Sequence, residues 1–101
     1  MKPFASLEGV ITVGGSTIFT VPPGKSYQVL ALRVNNPAAY DFTVSKYTAS
    51  SATTYTIYTL SLSAGDTVTD SWLYMFEPGD QLILDSSIAG TTYIIDINLG
   101  F

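Results

Sequence analysis

The residues that could do chemistry are few, and acidic side chains are the largest group among them. The 101-residue chain has eight Asp and Glu residues, four Lys and Arg residues, no histidine and no cysteine. The absence of those two residue types excludes disulfides, zinc fingers, thiol catalysis, Ser-His-Asp catalysis and imidazole metal sites. Any catalysis would therefore have to use carboxylates.

Two pairs of carboxylates are candidates for such a site. Asp66 and Asp70 lie four residues apart on a predicted strand, which separates them by about 13 Å, whereas a glycosidase pair needs about 5–9.5 Å. Glu77 and Asp80 flank one turn and could approach within about 7 Å, which admits a catalytic pair or a weak calcium site. Acidic residues also occur in turns because they accept backbone N–H bonds there. We expect that structural role for Glu77 and Asp80. We predict that the protein is not an enzyme and that it has no catalytic, cofactor-binding or metal-binding residue.

The segments that position these residues are predicted to be strands. Turn residues divide the chain into short segments rich in Thr, Val, Ile, Tyr and Phe, which favour strands over helices. Gly14-Gly15 predicts a two-residue hairpin between the first two strands, and Gly24, Gly65 and Gly79 each stand where a type II turn needs a positive φ. We predict strands at about 7–13, 16–21, 26–35, 40–48, 53–62, 66–70, 72–76, 81–85 and 91–99.

This pattern predicts an all-β fold: an antiparallel β-sandwich of eight to nine strands, jelly-roll or Ig-like. Residues 1–6 are expected to form an N-terminal arm and residues 7–101 a single domain. The alternation of apolar and polar residues assigns one face of each strand to a core between two sheets. The predicted core includes Leu30, Leu32 and Val34 of the third strand and Tyr93, Ile95, Ile97 and Leu99 of the last.

Several strands are apolar on both faces, which a free-standing sandwich does not need. A β-bulge that reverses the alternation, a covering loop, or isolated surface residues would explain this locally. A subunit interface is the other explanation, because a second chain would remove these faces from water. The residues then expected to contact another subunit are Val29, Ala31, Tyr55, Ile57, Leu73 and Met75.

Composition also limits the partners. The net charge is −4, and Lys2, Lys25, Arg33 and Lys46 are dispersed, so we expect no nucleic-acid binding. The longest apolar run, residues 72–76, is too short to cross a membrane, and no signal-like segment follows the start, so we expect cytoplasmic synthesis. Trp72 and Tyr74 could instead form an aromatic platform for a sugar ring.

Four segments carry a resemblance to a known group of proteins. They are Val21-Pro22-Pro23-Gly24-Lys25-Ser26-Tyr27, Leu32-Arg33-Val34-Asn35-Asn36, Leu62-Ser63-Ala64-Gly65-Asp66-Thr67 and Phe76-Glu77-Pro78-Gly79-Asp80-Gln81-Leu82. Together they resemble small β-sandwich structural proteins of tailed bacteriophage virions, over roughly residues 20–99. The turns of the Pro-Gly-Asp type are also similar to those of cupin jelly rolls, but the metal-binding histidines of cupins have no counterpart here.

The resemblance implies a virion component made in the host cytoplasm. The leading hypothesis is a capsid decoration or cement protein, a homotrimer that binds between major capsid subunits, with residues 1–7 as a tether. A tail or head-fibre component is the first alternative. A carbohydrate-binding module that uses Trp72 and Tyr74 is the second, and an enzyme is the least favoured.

Overall fold

The fold is built from strands. The computed structural model describes residues 4–70 and 74–99, and these residues include no helix long and apolar enough to cross a membrane. The strands are β1 (Phe4–Val10), β2 (Ser16–Thr20), β3 (Tyr27–Asn35), β4 (Tyr40–Thr48), β5 (Thr53–Leu62), β6 (Thr67–Asp70), β7 (Tyr74–Phe76), β8 (Gln81–Ser86) and β9 (Thr92–Asn98). The predicted all-β antiparallel sandwich is confirmed.

The strands form two sheets with nested pairing. Sheet A has the order β1-β9-β3-β6, with β7 paired to the same side of β3 as β6, and sheet B has the order β2-β8-β4-β5. The first strand therefore pairs with the last, β2 with β8, β3 with β6 and β7, and β4 with β5. All pairs are antiparallel, so the chain folds as one long double-stranded ribbon that wraps around the core.

The core lies between the two sheets. Leu32, Val34, Ile95 and Ile97 of sheet A are buried against Phe42, Val44, Leu82 and Leu84 of sheet B. Burying each of these aliphatic or aromatic side chains contributes roughly 1.5–3 kcal/mol, offset by the conformational entropy of ordering the chain. Phe76 adds an edge-to-face contact with Phe19, their ring centroids 5.1 Å apart.

Three β-bulges explain much of why several strands have apolar residues at both parities. The pairing register shifts at Ile18 in β2, Leu30 in β3 and Ile57 in β5. An extra residue reverses which parity faces the core. In β3 the core therefore receives Val29 and Leu32 rather than Leu30, so the assignment of Leu30 to the core was wrong. The local explanation thus holds for β3.

Two further details of the N-terminal segment differ from the sequence-based expectation. The first strand begins at Phe4, so residues 4–6, which we expected in an arm, pair with β9. The predicted hairpin at Gly14-Gly15 is wrong, because β1 and β2 lie in different sheets. Both glycines do have positive φ, 97° and 112°, but the turn they make carries the chain from sheet A to sheet B.

Candidate interaction surface

The contact residues predicted on sheet A have different surroundings. Val29 is fully buried in the core, so its prediction as a contact residue is corrected: the bulge at Leu30 turns it inward. Ala31 is half-buried and lines a shallow depression of about 120 Å³ together with Arg33, Ile94 and Asp96. Met75 is also half-buried, and its carbonyl oxygen accepts a hydrogen bond from the chain's own Lys46.

The two predicted contact residues on sheet B both belong to β5. Tyr55 is 52% exposed, whereas Ile57 is the bulge residue and packs partly against the core. Because Val29, Ala31 and Met75 belong to the other sheet, the predicted residues do not form a single patch. What survives of the prediction is an exposed aromatic side chain on the edge strand of sheet B.

The proposed sugar platform is only partly within the described residues. Trp72, together with the contact candidate Leu73, lies outside them. Tyr74 is 39% exposed on β7, the short strand that pairs with Tyr27–Val29. An aromatic ring is therefore accessible on this edge of sheet A.

Sequence reasoning missed the apolar side chains on the outer face of sheet A. Phe4 and Val10 of β1 are 58% and 61% exposed, and Ile94 of β9 is 40% exposed. Across the sheet, Ile94 stands between Glu8 and Arg33. The signal was present, since Ile94 has the opposite parity to the inward-facing residues of β9.

The outer face of sheet B is rich in hydroxyl groups. On β5 the exposed residues Thr54, Thr56, Thr59 and Ser61 share this face, and the hydroxyl of Thr59 lies 3.2 Å from that of Thr43 on β4. β5 contributes no charged side chain to this face. Such a surface suits contacts with another protein better than charge-driven recognition.

The carboxylates of the Glu77–Asp80 turn serve the fold. Asp80 is buried, and its two carboxylate oxygens accept backbone N–H bonds from Ala49 and Glu77, each 2.9 Å long. The ammonium group of Lys46 lies 3.6 Å from the same carboxylate. The Glu77 carboxylate accepts a hydrogen bond from the Ser26 hydroxyl. Within the described residues no three acidic side chains come together as a metal site.

The other end of the sandwich is held by a buried amide. The side-chain nitrogen of Asn36 donates to the Thr91 hydroxyl at 2.8 Å and to the carbonyl of Ala89 at 3.1 Å. Nearby, the hydroxyl of Tyr40 donates to the carbonyl oxygens of Val34 and Asp66. Burial, with a smaller contribution from the charge of Asp66, raises the pKa of Tyr40 above its ordinary value of 10.0. These bonds tie the β3–β4 loop to the β8–β9 loop and the start of β4 to the β5–β6 loop.

Comparison with known proteins shows the fold and no family. No protein-family model matches the chain, and no curated protein matches it in sequence. A pentameric capsid protein isolated from metagenomic phage sequences has a TM-score of 0.52 at 17% identity, over 96% of this chain and 61% of that one. This chain therefore spans less than two thirds of the length of that capsid protein.

Two further structures are less similar in fold. A protein of the disulfide-linked pili of Bacillus endospore appendages has a TM-score of 0.49 at 10% identity, over 95% of this chain and 83% of that one. A protein of the T13 particle of IBDV has a TM-score of 0.35 at 12% identity, over 98% of this chain and 32% of that one. From the phage capsid protein we infer only the shared sandwich fold, and we draw no conclusion from these two structures.

Proposed function

We propose that this chain is a structural protein of a virus particle, and that it acts as a capsid decoration protein. The observation that carries the proposal is the nested strand order of the two sheets. We interpret β1-β9-β3-β6 and β2-β8-β4-β5 as a jelly roll, an architecture common in viral capsid and lectin domains. The step from fold to function is an analogy, supported by the fold shared with the pentameric phage capsid protein.

The surface supports a role in assembly. Phe4, Val10 and Ile94 expose apolar area on sheet A, Tyr55 does so on sheet B, and only 12% of all residues are charged. A standard interface removes about 800 Å² per partner from water, a gross gain of roughly 20 kcal/mol before the costs of association. A small domain without disulfides gains stability from such burial.

The proposed mechanism is mechanical and uses no catalytic step. A homotrimer that binds across the seam between major capsid subunits would lose its contacts when the subunits separate. Binding would therefore raise the free energy needed to expand or break the shell. The protein would be made in the host cytoplasm and reside in the virion.

Co-sedimentation with preformed capsids tests the proposal. We expect the purified protein to bind capsids at a fixed ratio per shell and to raise the temperature at which they release their contents. Light scattering on the protein alone would distinguish a trimer from the pentamer described for the phage capsid protein. A protein that neither binds shells nor changes their stability contradicts the decoration role, and binding to tails alone favours a tail or head-fibre component.

Carbohydrate binding is the second candidate, since Tyr74 is accessible and jelly rolls include lectin domains. A glycan array probed with the wild type and with the Tyr74→Ala and Trp72→Ala variants tests it. We expect binding that these variants abolish, and the absence of any glycan signal contradicts this function.

A further inference from the structure

Strand β5 is a long uncharged edge. Its ten residues, Thr53–Leu62, pair with β4 on one side, and no described strand lies on the other. Residues 47–65, which contain β5, include no Asp, Glu, Lys or Arg. An edge strand directs N–H and C=O groups of alternate residues away from its neighbour, and natural proteins usually protect such edges with charges, proline or short length. β5 has neither charges nor proline and is not short; its one irregularity is the bulge at Ile57.

The other edges are better protected. β2 has only five residues, and β6 and β7 are two short strands that share one side of β3. β1 carries the charged residue Glu8. Open pairing capacity is therefore concentrated on β5.

The bulge in the middle of β5 makes this strand complementary to itself. Before the bulge, Tyr55 lies opposite Lys46 on the core side of sheet B, and after it Leu60 lies opposite Phe42 on the same side. Without the bulge, positions 55 and 60 would face opposite sides, because side chains alternate along a strand.

A two-fold axis between Ile57 and Tyr58 would therefore place residues from the same face of the strand opposite each other. In an antiparallel pair with this register, Tyr55 of one copy lies opposite Leu60 of the other, and Thr56 lies opposite Thr59. Tyr55 and Leu60 are the large apolar side chains of β5 that remain exposed, at 52% and 39%. Directly opposed aromatic and aliphatic pairs, and Thr–Thr pairs, each stabilise such a ladder by roughly 0.2–1 kcal/mol.

We propose that β5 pairs antiparallel with β5 of a second copy of this chain, about a two-fold axis between Ile57 and Tyr58. The pairing joins the two four-stranded sheets B into one continuous sheet. Ten residues span about 33 Å, and a single edge buries less than the roughly 800 Å² per partner of a stable complex. The contact therefore dissociates on dilution and is favoured where copies are concentrated, as on a shared surface.

Engineered cysteines test the register, because the natural chain has none. Thr56→Cys and Thr59→Cys are made as separate variants, mixed and oxidised. Opposed residues in an antiparallel pair have Cα atoms about 4.5–5.5 Å apart, within the range that a disulfide spans. We expect the mixture to cross-link at least tenfold faster than either variant alone. The control mixture of Thr54→Cys and Thr59→Cys is out of register and should cross-link slowly; equal rates in all mixtures overturn the proposal.

Charge variants test the contact itself. Thr56→Lys combined with Thr59→Lys places like charges opposite each other and should weaken self-association at least tenfold, as measured by sedimentation over a range of concentrations. Mixing it with a Thr56→Glu and Thr59→Glu double variant should restore pairing. A control with Ser6→Lys and Thr17→Lys, exposed residues on other edge strands, should associate like the wild type.

The tests of β5 pairing and of the proposed virion role have separate outcomes. Wild type that shows no further association at the highest attainable concentration, whether it is a monomer or a trimer, overturns β5 pairing, and so does association that the β5 lysines leave unchanged. Unchanged thermal unfolding of the variants at high dilution shows that the fold is intact. Capsid binding is measured independently, so its absence contradicts the decoration role and leaves the dimer result as it stands.

Discussion

Replacing Asp80 by alanine should destabilise the domain more than any other loss of a carboxylate among the described residues. Asp80 lies in the β7–β8 turn with only 2% of its surface exposed. Its carboxylate binds the backbone N–H of Glu77 within its own turn and that of Ala49 in the β4–β5 turn. One side chain thus ties together two turns that precede β8 and β5.

The magnitude follows mainly from these two N–H bonds. A hydrogen bond to a charged group contributes about 1.5–3 kcal/mol, and a buried N–H left without an acceptor costs about 1–3 kcal/mol. The ion pair with Lys46 adds less, because the Lys46 side chain is 26% exposed and solvent screens it. We therefore expect Asp80→Ala to lower the free energy of unfolding by about 3–5 kcal/mol, a large part of the roughly 5–15 kcal/mol typical of a domain.

Urea unfolding followed by intrinsic fluorescence measures this loss. The midpoint should fall while the denaturant slope stays the same, which indicates a change in stability rather than in the denatured state. Asp41→Ala is the matched control, since Asp41 is exposed on β4, and it should change the stability by less than about 0.5 kcal/mol. An Asp80→Ala loss below about 1 kcal/mol would refute the view that this carboxylate holds the two turns.

Three further changes test other parts of the structure. Gly79→Ala should cost about 2–4 kcal/mol in urea unfolding, because φ is +86° and the new Cβ would lie 2.8 Å from that of Ala49; adding Ala49→Gly should recover only part of it. The free energy of unfolding of the wild type should fall as the pH rises above 10.0, because the unfolded chain loses the Tyr40 proton there while the folded protein, with its raised pKa, still holds it. Tyr40→Phe should show a shallower fall of this free energy with pH. Equal slopes in the two proteins would contradict the cause given for the pKa shift. Asn36→Ala should cost about 1–3 kcal/mol and speed amide exchange in the β8–β9 loop, because the amide of Asn36 donates to Ala89; unchanged exchange would show that this bond is not what orders the loop.

Much of the secondary structure was predictable because its causes are local. The β4 and β5 spans match the predicted 40–48 and 53–62, since turn residues bound them on both sides. The three predicted turns, Pro-Gly-Lys at Gly24, Ala-Gly-Asp at Gly65 and Pro-Gly-Asp at Gly79, are confirmed, because all three glycines have positive φ, as the type II turn requires.

The candidate surface was less predictable, because the side to which a residue points depends on pairing over long distances. The alternation in β3 favoured an inward Leu30 and an outward Val29, and the bulge at Leu30 reversed them. The same effect in β5 directs Ile57 partly toward the core while Tyr55 stays exposed. A bulge is an offset between two strands, so one strand read alone does not reveal it.

The amino-acid sequence by itself determined the strand content, the turn positions and the absence of thiol and imidazole chemistry, because each depends on residue type and immediate neighbours. Tertiary structure alone decided the rest. It placed β1 and β2 in different sheets despite Gly14-Gly15, paired the first strand with the last, and gave Asp80 a partner in a turn 31 residues away. It also left β5 at an edge with its bulge at the centre, because the free energy that selects a register comes from burying both sheets at once.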